Sequence, residues 1–292
     1  MSAVVFGFES YTKKDVPLTF IMISIITAVY NQLGLNKLFY KNLIKYTHHP
    51  FELIIIDNNS TDGSREFFKS MGAVVIENDG NYSYPYCQNQ GIKVAKGEIL
   101  AFLNNDIIVA PSWDKSLIEI MNQHQLDIIT SCGIEQAENT KTTKKFRKRW
   151  HRIKYGIGAL ARNEFSFSIM HYLMYGNWEK FSEERQKKFT TSVVEGFVGN
   201  TVVMTQKAVE LVGLWDEKIQ AGDFDLFMRS KKRSIEQKDI KPVHIALGVF
   251  NHHFIRITAR SKPPVFKDAD KLITFDEKWT EQERILYLQG II

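Results

Sequence analysis

Long apolar runs are missing from this sequence. No stretch is long enough to cross a bilayer, and the amino terminus lacks a basic segment followed by an apolar one, so neither a membrane span nor a secretory leader is expected. Cysteine is nearly absent as well. Cys87 and Cys132 cannot build a disulfide framework, which makes a reducing compartment the simpler expectation. Charge of one sign is equally scarce: 38 basic residues against 33 acidic ones leave a net +5, too little to require a nucleic-acid partner. No internal repeat and no low-complexity tract interrupts the chain. These absences predict a cytoplasmic protein that is not integral to the membrane and takes no nucleic acid.

What is present is a globular pattern. The 292 residues are 44% apolar, enough to bury a sizeable core in one large α/β domain or two small ones. A β-branched run over 21–29 predicts a strand, and the spacing of Leu38, Leu43 and Ile44 predicts a helix over 35–46. A second strand over 53–56 ends at Asp57, and the turn- and cap-rich stretch 58–64 starts a helix over 65–71. A strand over 73–76, a polar aromatic loop over 78–86, a helix over 87–96 and a strand over 99–103 follow. Strands alternating with helices predict a mostly parallel sheet. Beyond Asp106 the reading is a helix to about 124, a strand over 127–131, a strand over 199–205, a helix over 206–212 and another from 222. A late strand over 243–250 delivers Asn251, His252 and His253, and a terminal helix ends at 286–288. The basic and aromatic stretch from about 137 interrupts this pattern like an insertion.

The stretch Gly97-Glu98-Ile99-Leu100-Ala101-Phe102-Leu103-Asn104-Asn105-Asp106 organises the rest. Its apolar run has the length of a strand buried on both faces, and it stops at three short oxygen-bearing side chains. Ligands bind outside the carboxyl ends of such strands in open α/β sheets. Asp106, helped by Asn104, offers hard oxygen ligands to Mg²⁺ or Mn²⁺, and that metal can hold a diphosphate. An ordinary strand-closing turn is the competing reading of the tripeptide alone.

Six pieces in order carry a family resemblance: 23–31, Ile56 to Ser64, Asn89-Gln90-Gly91 with Ala95-Lys96-Gly97, Phe102 to Asp106, Gly213-Leu214-Trp215-Asp216-Glu217, and Asp223-Phe224-Asp225-Leu226 with Arg229. Together they resemble the inverting glycosyltransferases of family 2. The resemblance implies a GT-A fold: an α/β architecture with a mostly parallel central sheet flanked by helices. Its parts would be an amino-terminal arm (1–20), a Rossmann-like nucleotide-sugar-binding half (21–136), a helical insertion (137–190), an acceptor-binding and catalytic half (191–260) and a tail helix (261–292). It further implies transfer of a sugar from a nucleotide-sugar donor, expected to be UDP-linked, to a hydroxyl of a glycan or lipid-linked acceptor, with Mn²⁺ or Mg²⁺ as cofactor.

Roles follow residue by residue from the same resemblance. Thr27, Ala28, Tyr30, Asp57, Asn89, Asn104 and Asn105 would contact the donor. Asp57 can accept a hydrogen bond from the ring N–H that uracil has and cytosine lacks, although capping the turn after it is the plainer alternative. Asp106 would be the metal aspartate, here in Asn-Asn-Asp where relatives carry Asp-x-Asp. One of His252 and His253 would complete the metal shell, since adjacent strand side chains face opposite ways; His252 is preferred. Asp223 would be the general base that takes the acceptor's proton. Asp225, four residues before Arg229, would pair with it and stabilise a helix start. Trp215, Asp216 and Glu217 would line the acceptor side, with burial of Trp215 in the core as the alternative. Two departures stand out: Gly222 replaces a common glutamate before the base, and Gln88 replaces a common arginine.

In the insertion, Lys144 to Arg152 with Phe146, Trp150 and Ile153 can form a helix over 144–153. Its cations would face anionic lipid and its aromatics would dip into the interface, a peripheral contact at the inner face of the membrane; a solvated basic face is the competing reading. Two other function classes were weighed against the transferase. A non-catalytic carbohydrate- or nucleotide-binding module on the same fold is conceivable from Gly222 and Gln88. A sugar-nucleotide nucleotidyltransferase is disfavoured, because no glycine-rich, lysine-bearing loop follows the first strand.

Overall fold

The computed structural model describes residues 21–156, 163–257 and 263–288. The expected arm over 1–20 lies outside the described residues. The β-branched run forms β1 (Ile23–Val29) and leads into α1 (Leu33–Tyr46); β2 (Phe51–Asp57) leads into α2 (Ser64–Ser70), and β3 (Val74–Glu77) into α3 (Tyr84–Val94). Next come β4 (Ile99–Leu103), the short β5 (Ile107–Ile108), α4 (Trp113–His124) and β6 (Ile128–Cys132). Three helices follow, α5 (Thr140–Gly156), α6 (Glu164–Tyr175) and α7 (Trp178–Phe189). The chain closes with β7 (Val193–Glu195), β8 (Thr201–Thr205), α8 (Gln206–Val212), α9 (Gly222–Glu236), β9 (His244–Phe250), β10 (His252–His253), α10 (Phe275–Lys278) and α11 (Glu281–Leu288).

Eight strands make one sheet in the order β3-β2-β1-β4-β8-β6-β9-β7, and β5 pairs with β10 in a separate two-stranded ribbon. Within the sheet β8 and β7 run against the others, so the sheet is mostly parallel. The expected α/β class with helices on both faces is what the chain adopts. One face buries Ile25, Val29 and Ala101 against Phe39, Leu43, Trp113 and Leu117; the other buries Ile26, Ile54 and Phe102 against Cys87, Ala208 and Phe227. No helix among the described residues is long and apolar enough to cross a membrane.

Helix α3 starts at Tyr84, inside the stretch read as a loop, because Pro85 sits in its first turn, where a missing N–H costs nothing. The insertion differs more. Phe146, Trp150 and Ile153 do not point outward for lipid; they pack inward, with the Phe146 ring 5.2 Å from Phe250 and the Trp150 ring 5.7 Å from Phe254. Burying those rings in the protein's own core satisfies the apolar stripe of α5. Its other face keeps Lys141, Lys144, Lys145, Lys148, Arg149 and Arg152 exposed, and none of these has an ion-pair partner among the described residues.

Glycine decides one close crossing. A Cβ on Gly97 would stand 2.5 Å from the backbone nitrogen of Ser24, so the turn into β4 runs directly against β1. We expect Gly97→Ala to destabilise the fold by about 1–3 kcal/mol through this overpacking. A urea midpoint unchanged from wild type would contradict that contact.

Candidate active site

The sheet gathers five carboxyl ends at one edge. Strands β1, β2, β4, β6 and β9 all point the same way, so Tyr30, Asp57, Asn104 to Asp106, Glu135 and Asn251 to His253 leave the sheet together. The antiparallel β8 begins at this edge, Leu103 pairing with Thr201, and adds Asn200. The β5–β10 ribbon then sets His252 opposite Ile108 and His253 opposite Ile107, one residue beyond Asp106.

That register settles which histidine meets the carboxylate. His253 Nε2 lies 3.1 Å from Asp106 Oδ1, and its Nδ1 bonds Glu135. The preference for His252 is therefore corrected. Alternation along the strand turns His252 to the opposite side, where it is fully buried, its ring 5.0 Å from His171 and 5.3 Å from Trp150. Burial holds His252 well below the ordinary imidazole range. Burial alone would lower His253 too, but Asp106 and Glu135 on either side hold it well above that range.

Two neighbouring compartments with walls in common occupy the edge. The larger, about 460 Å³, has Ala28, Tyr30, Asn104, Asn105, Asp106 and His253 in its walls. The second, about 350 Å³, is bounded by Glu135, Gly199, Asn200 and Asp223, and shares Tyr84, Asn104, Gln220 and His253 with the first. Asp223 stands in the first turn of α9, with its Oδ1 accepting from the Phe224 N–H at 2.9 Å. Burial pushes its carboxyl above the usual range, and the charge of Glu135 adds to the effect. Two bonds to Asp225 anchor that helix start, from Arg229 Nε at 2.7 Å and from Trp279 Nε1 at 2.9 Å. Gly199 makes room for Asp223: a Cβ there would fall 1.9 Å from Asp223 Oδ2.

Glu135 is not among the candidates the sequence offers, since it falls just before the stretch that reads as an insertion from 137. It follows β6 closely, so the argument that drew attention to Asp57 and Asp106 applies to it equally. Asn200 Nδ2 donates to its Oε1 at 3.2 Å, whereas its Oε2 is buried without a partner.

Several expected contacts are placed elsewhere. Trp215 is only 4% exposed, packed edge-on against Phe102 and Tyr84, and offers no open plate for a sugar. Neither it nor Asp216 nor Glu217 lines the two compartments. Asp216 pairs with Lys278 at 2.6 Å, and Glu217 accepts from Asn89 at 2.9 Å. Asn89 is itself a latch: it donates to the Trp215 carbonyl at 2.8 Å and accepts from the Trp215 N–H at 3.0 Å. Thr27 and Asp57 lie under the cleft and do not line it. Asp57 Oδ2 takes both Arg65 and the Ser60 N–H, but Asp57 Oδ1 and Thr27 Oγ1 are buried without partners.

The donor set fits a divalent cation only in part from the protein. Asp106 and His253 supply one oxygen and one nitrogen, and among the described residues no three His, Cys, Asp or Glu side chains are placed to hold a metal ion together. That is the pattern of Mg²⁺ or Mn²⁺ sites which keep several waters and take further oxygens from substrate phosphates.

Residues 24–208 match the family model described as Glycosyl transferase family 2. The O-antigen biosynthesis protein RfbC of Myxococcus xanthus is 32% identical over 117 residues, 38% of this chain and 9% of that protein. Glycosyltransferase GlyG of Streptococcus pneumoniae is 26% identical over 113 residues, 37% of this chain and 38% of that protein. Among solved structures, S. aureus TarS superposes with a TM-score of 0.51 at 12% identity, over 86% of this chain and 41% of that one, a likeness of fold. The chain thus spans less than half the length of these relatives.

Because Asn89 holds the Trp215 loop, its loss should show as instability. Asn89→Ala is expected to cost about 1–3 kcal/mol by stranding buried backbone groups. Unchanged urea stability together with lost nucleotide binding would return Asn89 to the donor site.

Proposed function

The chain belongs to glycosyl transferase family 2, and from that premise we propose that it moves a sugar from a UDP-linked donor to an acceptor hydroxyl with inversion at the anomeric carbon. The observation that carries this reading is the shared wall: the Asp106–His253 pair and the half-buried Asp223 line neighbouring compartments that have Tyr84, Asn104, Gln220 and His253 in common. Asp106 and His253 are the residues that would hold Mn²⁺ or Mg²⁺, which when bound neutralises charge on the departing diphosphate. Asp57 keeps one unpartnered oxygen beneath the cleft floor, so recognition of the uracil N–H by it would require the floor to open. Ala28, Tyr30 and Asn104 border the space a nucleotide would fill.

Asp223 takes the proton of the acceptor hydroxyl as its oxygen attacks opposite the leaving group. Glu135 orients His253 through Nδ1, as carboxylates commonly fix metal-facing imidazoles. The acceptor is a glycan or a lipid-linked molecule, and the relative named for O-antigen biosynthesis supports a place in polysaccharide assembly. The unpaired cations along α5 support peripheral contact with an anionic bilayer.

Asp223→Asn should lower kcat by about 10²–10⁴-fold while donor affinity in a thermal-shift assay persists. Asp106→Ala should abolish the Mn²⁺-dependent part of that shift; full metal dependence in the variant sinks the assignment. A base must be ionised, and Asp223 is held above the ordinary carboxylate range, so the acid limb of the kcat profile should lie higher than a free aspartate would give. Vesicle flotation tests the α5 contact: binding to anionic but not zwitterionic vesicles, lost in Lys144→Gln/Lys145→Gln/Lys148→Gln, is expected, and equal binding to both is not.

A further inference from the structure

The cleft continues past the base. A recess of about 450 Å³ has Glu135, Phe197, Gly199, Asp223, Phe224 and Leu288 in its walls, and a groove of about 690 Å³ adjoins it along α11. Phe224 and Leu288 belong to both. The groove is almost wholly apolar, formed by Ala221, Phe224, Phe275, Ile285 and Leu288, with Glu281 and Arg284 as its charges. Arg284 is already committed to Asp276. Aromatic rings mark the route: Phe197 to Phe224 at 4.4 Å and Phe224 to Phe275 at 5.9 Å between centroids.

Two features distinguish this groove from incidental surface. Phe224 is the residue after Asp223, so the groove begins where the acceptor's hydroxyl must sit. Its walls also remain open, Phe224 at 43% and Ile285 at 57% exposure, although apolar side chains this large ordinarily gain by leaving water. A polar glycan passing Asp223 would leave these walls wet.

We propose that the acceptor is an amphiphile whose hydroxyl-bearing head meets Asp223 and whose apolar tail lies along Phe197, Phe224 and Phe275 toward Ile285. This rests on Asp223 being the base, and it chooses the lipid-linked class of acceptor over a free glycan. Phe224 and Ile285 are then specificity residues, because the free energy of seating a tail scales with the apolar area covered.

The test uses the whole chain with n-octyl β-D-glucoside below its micellar concentration as probe and methyl β-D-glucoside as head-group control. Calorimetric titration should show the octyl compound binding at least about tenfold more tightly, and Phe224→Ser/Ile285→Ser should remove that preference, since both side chains are half-exposed and their loss spares the core. Melting curves of the variant confirm folding. UDP binding with Mn²⁺, measured on the same wild-type sample, separates the two readings. If UDP binds and no octyl preference appears, the groove proposal fails alone; if UDP does not bind, the donor reading fails. An octyl preference that survives in the double variant overturns the proposal. So does octyl binding that appears only in Ile291→Asp/Ile292→Asp, which would make the chain's own end the occupant, and so does a dimer in sedimentation that the probe dissociates.

Discussion

One imidazole held between two carboxylates fixes the geometry of this site. His253 bonds Asp106 through one ring nitrogen and Glu135 through the other, and the three come from the ends of three different strands. No local sequence rule could bring them together. The parallel strands do so, because each ends at the same edge, and the β5–β10 ribbon adds the last ångströms of precision by fixing the register of His253 beside Asp106. With Asp106 buried and His253 and Glu135 only partly exposed, two carboxylates on one imidazole would repel without a positive group between them. The two carboxylates hold His253 toward its protonated form, so the centre favours positive charge.

The fold was legible because its signals were local. Unbroken apolar runs such as Ile99 to Leu103 are buried at every position, and the cap-rich stretch after Asp57 begins a helix as its composition requires. The insertion was legible only as helical. The direction in which Phe146 and Trp150 face depends on what lies next to α5, and the partners, Phe250 and Phe254, are about a hundred residues away. An amphipathic helix has the same pattern whether its apolar stripe meets lipid or protein.

The site was legible in part for a related reason. Strand-end carboxylates announce themselves, and Asp106 and Asp223 line neighbouring compartments that share Asn104 and His253. Roles that depend on register did not. Strand alternation says that His252 and His253 face opposite sides, but which side holds Asp106 is a property of pairing with β5. Asn89 and Trp215 look like ligand contacts in sequence because polar and aromatic residues near a cleft usually are. In the fold the Asn89 side chain bonds the Trp215 backbone N–H and carbonyl and holds that loop.

Gly199 has a consequence of a different kind. The space a methyl group would need there is taken by an oxygen of Asp223, so the carboxylate proposed as the base leans into a vacancy on a neighbouring segment. Position 199 thus acts as a sterically coded lock: the smallest chiral residue would tilt the acid off its axis without adding or removing any charge. Chemistry at this centre is guarded by a hydrogen atom in a place where no functional group exists.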